Sequence, residues 1–196
     1  MQFTDLDLNG TYTYADYLKW TFEERVELIN GKIFKMSPAP NRFHQKLAGY
    51  IHVRLGIFLD GKVCEVYEAP FDVRLPRQSK NDKSIVTVLQ PDVCVICDPA
   101  KLDSRGCIGA PDIVVEVLSP GNNAKELKMK YAIYEESGVK EYWVVSPQDQ
   151  WMRVHILVND KYSESPYLLA GDIFHSSALP GFSLDISALF PGISAG

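Results

Sequence analysis

Two carboxylates in this chain stand where carboxylates are costly. In Pro111–Leu118 (PDIVVEVL) strand geometry alternates the side chains, so Asp112, Val114 and Glu116 point one way and Ile113, Val115 and Val117 the other. Glu116 is thereby set among valines, a position tolerable only if the carboxylate is paired, protonated or bound to a cation. Asp92, within Leu89–Ile96 (LQPDVCVI), is in the same predicament. Neighbouring strands run about 4.7–4.9 Å apart. If the two segments lie side by side, Asp92 and Glu116 can share one divalent ion. Hard oxygen donors without a histidine or cysteine cluster favour Mg²⁺ or Mn²⁺ over zinc.

A third group comes from the segment that follows. Leu127, Lys130, Tyr131 and Tyr134 recur at i, i+3, i+4 and i+7, the stripe of one helix face. Lys130 therefore turns inward toward the sheet, while Lys128 sits at the edge of the stripe and reaches solvent. An inward ammonium beside buried carboxylates can pair with them, orient an attacking water or stabilise charge on a phosphate.

The elements that must position these groups are legible in outline. Thr13–Phe22 (TYADYLKWTF) reads as a short N-terminal helix, and Arg25–Met36 as a hairpin turning at Asn30-Gly31. Ser-Pro-Ala-Pro at 37–40 breaks the pattern. Leu47, Tyr50, Ile51, Leu55 and Phe58 fall at helical spacing over Arg42–Asp60, with Asp60-Gly61 as the stop. Lys62–Leu75 reads as two strands or one bent strand, and Pro76–Ser84 as a loop.

Ile85–Cys97 and Pro111–Leu118 read as strands, apolar almost throughout, which suits the middle of a sheet covered on both faces. Asn123–Gly138 reads as a second helix, Glu141–Ser146 (EYWVVS) as another central strand, and Met152–Val158, Tyr162–Leu169 and Ile173–Phe174 as a terminal meander. The order predicts an α/β fold in one domain, with a central mixed sheet flanked by helices. It comprises an N-terminal helix and hairpin extension (1–40), a core (41–146) and a C-terminal β meander (147–196).

Composition agrees with one globular domain: 196 residues, 46% hydrophobic and 23% charged. Met1–Gly10 has neither a basic stretch nor an apolar run, so no signal peptide is expected, and no segment approaches the roughly 20 apolar residues of a membrane span. Cys64, Cys94, Cys97 and Cys107 are accordingly expected to be reduced thiols of a cytoplasmic protein, without disulfides. The pair Cys94-x-x-Cys97 is not read as a zinc or redox motif, since residues i and i+3 of a strand face opposite sides.

A formal net charge of −5 is the wrong sign for a protein that grips nucleic acid through a broad basic surface. A carboxylate cluster that binds a cation accounts for part of that charge. A basic groove would require Arg42, Lys46, Arg54, Arg74, Arg77, Lys80 and Lys125 to converge. The tyrosines at 131, 134 and 142 and Trp143 are read as core rather than as a platform for bases.

Pro91-Asp92, Glu116 on the next strand and Lys130 on the following helix together resemble the PD-(D/E)XK nuclease superfamily. In its common form the lysine sits two residues after the acid, where this chain has Leu118; one branch moves it to the next helix. The run ELINGKI, SPAP, HQKL, QPDVCVI, PDIVVEVLSP and ELKMKYAIYEESGVKEYWVV is similar to a bacterial restriction-endonuclease family, over roughly residues 14–190.

The resemblance implies a restriction-endonuclease-like fold, Mg²⁺-dependent hydrolysis of phosphodiester bonds in DNA, and a homodimer. It assigns Asp92 and Glu116 as metal ligands and Lys130 as the cation that orients water or stabilises charge. Glu27 of ELINGKI and His44 at the start of the first long helix are further site candidates, and Asp112 is given a supporting role. The alternative is a catalytically silent binding or scaffolding module that keeps the fold.

Overall fold

The computed structural model describes residues 3–36, 41–119 and 124–190. The Ser-Pro-Ala-Pro segment and most of the loop after Ser119 lie outside them.

The chain opens with helix α1 (Tyr14–Tyr17), strand β1 (Val26–Ile29) and strand β2 (Lys32–Lys35). Helix α1 is shorter than Thr13–Phe22. Its capping box between Thr13 and Asp16 starts one turn, after which Tyr17, Trp20 and Phe22 pack ring on ring instead of extending it. Asn30 and Gly31 turn the hairpin with φ of 51° and 79°, the left-handed pair that a two-residue turn needs.

Helix α2 (Arg42–Leu59) is capped by Asn41, whose side chain accepts hydrogen bonds from the backbone N–H groups of Phe43 and His44 at 3.0 Å. Its buried residues, His44, Leu47, Ala48, Ile51, Leu55 and Leu59, form one stripe. Five strands follow: β3 (Glu65–Glu68), β4 (Val73–Arg74), β5 (Val88–Leu89), β6 (Val93–Ile96) and β7 (Leu102–Asp103).

Next come β8 (Gly106–Ile108), β9 (Ile113–Val117), helix α3 (Ala124–Ser137) and β10 (Glu141–Ser146). The chain ends in β11 (Trp151–Val158), β12 (Lys161–Glu164), β13 (Ile173–His175) and β14 (Ser183–Asp185). The last two form a small sheet of their own rather than continuing the meander.

The main sheet runs β12-β11-β10-β9-β6-β3, and the three most apolar strands are indeed its centre. It is mixed: β9 and β10 are parallel, joined by α3, and the other neighbours are antiparallel. One face packs on α2 and the C-terminal segment, with Ile113, Val115 and Val117 meeting Leu47, Ile51 and Leu55. The other face packs on α3 and on a second six-stranded sheet, β2-β1-β5-β4-β8-β7. The N-terminal hairpin is thus built into that second sheet, which brings β1 over the face that carries Glu116.

Two local expectations are corrected. Ile85–Cys97 is not one strand, because it passes from β5 in the second sheet to β6 in the main one. Pro91 stands at the crossing, where a residue without an N–H cannot continue a ladder. Second, Cys64 and Cys97 are joined in a disulfide. The antiparallel pair Glu65↔Ile96 sets the residues just beyond it, Cys64 and Cys97, opposite each other, a proximity invisible in a separation of 33 residues. Cys94 and Cys107 are free and buried. A thiol reagent in non-reducing denaturant should therefore count two thiols, and four after reduction; four without reduction would remove the disulfide.

Among the described residues no helix is long and apolar enough to cross a membrane.

Candidate active site

The site is assembled from five elements. Antiparallel pairing of β6 with β9 matches Val93 with Val115, so Asp92 and Glu116 fall at the next rung, one strand apart. Asp92 fixes that rung itself: its Oδ2 accepts a 2.7 Å hydrogen bond from the backbone N–H of Val117. The same oxygen lies 3.1 Å from His44 Nε2 at the first turn of α2. His44 Nδ1 is buried with no hydrogen-bond partner among the described residues.

On the opposite side, Lys130 Nζ of α3 donates to Glu116 Oε1 at 3.0 Å and to Glu27 Oε1 of β1 at 3.1 Å. Glu27 Oε1 also accepts the Gln90 N–H at 2.8 Å. Tyr134, one turn along α3, donates its hydroxyl to Glu116 Oε1 at 2.8 Å.

Burial is steep across this group. The side chains of Glu27 and Lys130 are 3% and 6% exposed, that of Glu116 12%, and that of Asp92 19%. Asp92 is therefore the side open to an incoming ion. One ammonium serves two carboxylates, with a third one strand away.

The electrostatics follow from that shortage. Burial pushes the Glu116 carboxyl up to about 7. Lys130 pulls it down, and the charges of Asp92 and Glu27 add to the rise. For Lys130, burial works against the charged form, but Glu116 and Glu27 outweigh it and hold the ammonium above its ordinary range. Burial, and then the charge of Glu116, lifts Tyr134 well above a normal phenol, so it remains a donor.

A divalent cation suits this set. The donors are hard carboxylate oxygens, and a buried carboxylate lifted to about 7 beside another acid is short of positive charge. Among the described residues no three His, Cys, Asp or Glu side chains converge as a metal cluster. The protein would supply Asp92 and Glu116, leaving other positions to water or substrate oxygens, as Mg²⁺ commonly does.

Every sequence-named site residue, Glu27, His44, Asp92, Glu116 and Lys130, thus belongs to one connected group. Asp112 stands apart, accepting the Cys97 N–H at 2.7 Å and pairing with Lys140 at 2.6 Å, which makes it a structural anchor. Sequence reasoning missed Tyr134 as a site group, although its place one turn after Lys130 was the available signal. It missed Gln90 altogether. Gln90 holds Glu27 through its backbone, and its side chain binds Arg25 at 2.7 Å and Asp72 at 2.9 Å. Nothing in a lone glutamine before a proline announces that role.

The proposed basic groove loses members. Arg74 is fully buried, donates to the Cys107 carbonyl at 3.2 Å and pairs with Asp103, while Arg77 pairs with Glu136 at 3.1 Å.

This arrangement of a mixed sheet, an acid on each of two adjacent strands and a lysine on the connecting helix defines a restriction-endonuclease-like protein. A solved structure described as a "putative nuclease" from Anabaena variabilis shares the fold. Its TM-score is 0.73 at 18% identity, covering 93% of this chain and 99% of that one. An uncharacterised protein, slr1290, of a Synechocystis strain is 25% identical over 186 residues, 91% of each chain. Residues 14–187 match the family described as "Uma2: Putative restriction endonuclease". The chain belongs to that family.

Proposed function

We propose that this protein is a divalent-metal-dependent endonuclease that hydrolyses phosphodiester bonds of DNA, using Mg²⁺ or Mn²⁺. The observation that carries the reading is the adjacency of Asp92 and Glu116 on neighbouring strands with Lys130 Nζ 3.0 Å from Glu116. The family match, and the nuclease description of the Anabaena relative, support the substrate class.

Asp92 and Glu116 would hold the cation. When bound, a divalent ion supplies Lewis-acid charge for a phosphoryl oxygen and acidifies water. His44 and the Val117 N–H fix the Asp92 carboxylate, so it presents one orientation. Tyr134 and Lys130 do the same for Glu116 Oε1. Lys130 then offers a held positive charge at which a water can be oriented or phosphate charge stabilised.

The test is Mg²⁺ and Mn²⁺ titration by calorimetry with plasmid cleavage alongside. Glu116→Ala and Lys130→Ala are expected to lose roughly 10²-fold or more in cleavage rate. Full activity in either variant would sink the assignment. Asp92→Asn keeps an oxygen for the Val117 N–H but loses the charge, so it should fold with wild-type stability and bind the cation weakly. Asp92→Ala should in addition lose about 1–2 kcal/mol of stability, measured by urea unfolding, because a strand N–H is left without its acceptor.

The acidic net charge of −5 favours a second reading, a silent nuclease-fold module. Absence of metal binding in the wild type would select it. The resemblance extends the first reading to a homodimer, which sedimentation equilibrium tests directly.

A further inference from the structure

A cavity of about 480 Å³ opens on the face of the main sheet that carries Glu116, under the flank of α3. Its walls include the rings of Tyr131, Tyr142, Trp151 and Tyr167, with Arg153 and His155 between them. Trp151 and Tyr167 meet edge to face at 4.9 Å, and the Arg153 guanidinium lies 4.8 Å from the Tyr167 ring centre. The volume is that of a small-molecule site, ample for one planar heteroaromatic ring.

Strand register ties this cavity to the carboxylates. Val144, in the cavity wall, is paired directly with Glu116 on one side and with Arg153 on the other. The three form one cross-strand row, with spacings of about 4.7–4.9 Å. Helix α3 is shared in the same way: Tyr131 faces the cavity, while Lys130 and Tyr134 reach Glu116. Cavity and site are two neighbouring parts of one surface.

A second feature is independent of the rings. Tyr142 Oη and His155 Nδ1 are buried and have no hydrogen-bond partner among the described residues; the nearest carboxylate oxygen to His155 Nδ1, on Glu164, is 3.7 Å away. Tyr142 is 1% exposed and His155 6%. Both residues line the cavity, so a heterocycle seated there lies beside two polar groups that lack partners among the described residues. Arg153 is already paired with Glu164, which argues against a phosphate site.

We infer that this cavity receives one unstacked nucleobase of the strand whose backbone lies at Asp92 and Glu116. The inference rests on the nuclease reading and names a part of its substrate, a strand from which a base can be turned out. Stacking on rings is tolerant of base identity, so the pocket grips a strand without selecting a sequence.

The experiment uses a single-stranded oligodeoxynucleotide carrying 2-aminopurine and a terminal dye, with Ca²⁺ in place of Mg²⁺ to prevent cleavage. Dye anisotropy reads binding, and 2-aminopurine emission reads base stacking. On wild type both should respond. The double variant Trp151→Leu/Tyr167→Ala should abolish the emission change and raise Kd by about tenfold or more, whereas Tyr167→Phe should retain both. If the double variant has a shifted urea midpoint, Tyr167→Ala alone serves, since that side chain is largely exposed.

Wild-type affinity and emission change in the pocket variants would overturn the inference while leaving the nuclease reading intact. A wild type that binds no single-stranded oligonucleotide would likewise overturn the inference, and plasmid cleavage then decides the nuclease reading by itself.

Discussion

The Glu116→Gln variant, unfolded in urea at a series of pH values, should pull away from wild type as the pH rises from 5 to 8, becoming the more stable protein by roughly 3 kcal/mol. The folded carboxyl is lifted from 4.5 to about 7, by burial first and by Asp92 and Glu27 after it, against the pull of Lys130. Between those values the folded state binds a proton that the unfolded state has released. Wild-type stability is therefore full below about 4.5 and lost as the pH rises through 7, at about 1.36 kcal/mol per pH unit.

Glutamine mimics the protonated acid and does not titrate, so the difference is absent in acid and complete near pH 8. Parallel stability curves for the two proteins across this range would contradict the assignment. Mg²⁺ should close the gap from the wild-type side alone, because only the carboxylate gains from an added cation.

Lys130→Met keeps an apolar stem of similar length and removes the charge. It should cost about 3–5 kcal/mol at pH 8, the price of leaving buried carboxylates without their cation. The pH trend has the same sign as for wild-type Glu116 but extends to higher pH, because Lys130 no longer pulls the carboxyl down. The Lys130 ammonium is held above its ordinary range, so in wild type it stays charged throughout the assay. In the variant the penalty shrinks in acid as Glu116 takes up a proton.

The double variant Lys130→Met/Glu116→Gln should recover a large part of the loss, since the two groups are in direct contact and their effects cannot add. A double variant less stable than Lys130→Met alone would place Lys130 in some other role.

How much of this was legible before the structure depends on the kind of signal. The alternation of PDIVVEVL separated Glu116 from its valine neighbours correctly: Ile113, Val115 and Val117 enter the α2 core, while Val114 and Glu116 face α3. The helical stripe placed Lys130 inward for the same local reason. The pairing of β6 with β9, which the sequence offered only as a possibility, is present.

What failed was non-local. The crossing at Pro91, the folding of β1 over Glu116 and the disulfide all depend on which strands become neighbours, and a single strand's pattern does not carry that information. Glu141 makes the point from the other side. It is as buried as any acid in the chain, yet its carboxylate accepts hydrogen bonds from Trp143, Ser176, Ser177 and Ala178 and needs no cation. In sequence, Glu116 and Glu141 look alike.

The ion pair between Glu27 and Lys130 spans 103 residues. A growing chain presents Glu27, then Asp92 and Glu116, before α3 brings Lys130, and until then it has carboxylates but no ammonium between them. The pair that joins Glu27 to Lys130 forms only when the longest loop among the site's contacts closes, which makes it the contact with the largest closure cost in the site. A chain cut short before α3 carries the three carboxylates Glu27, Asp92 and Glu116 without the ammonium that serves two of them.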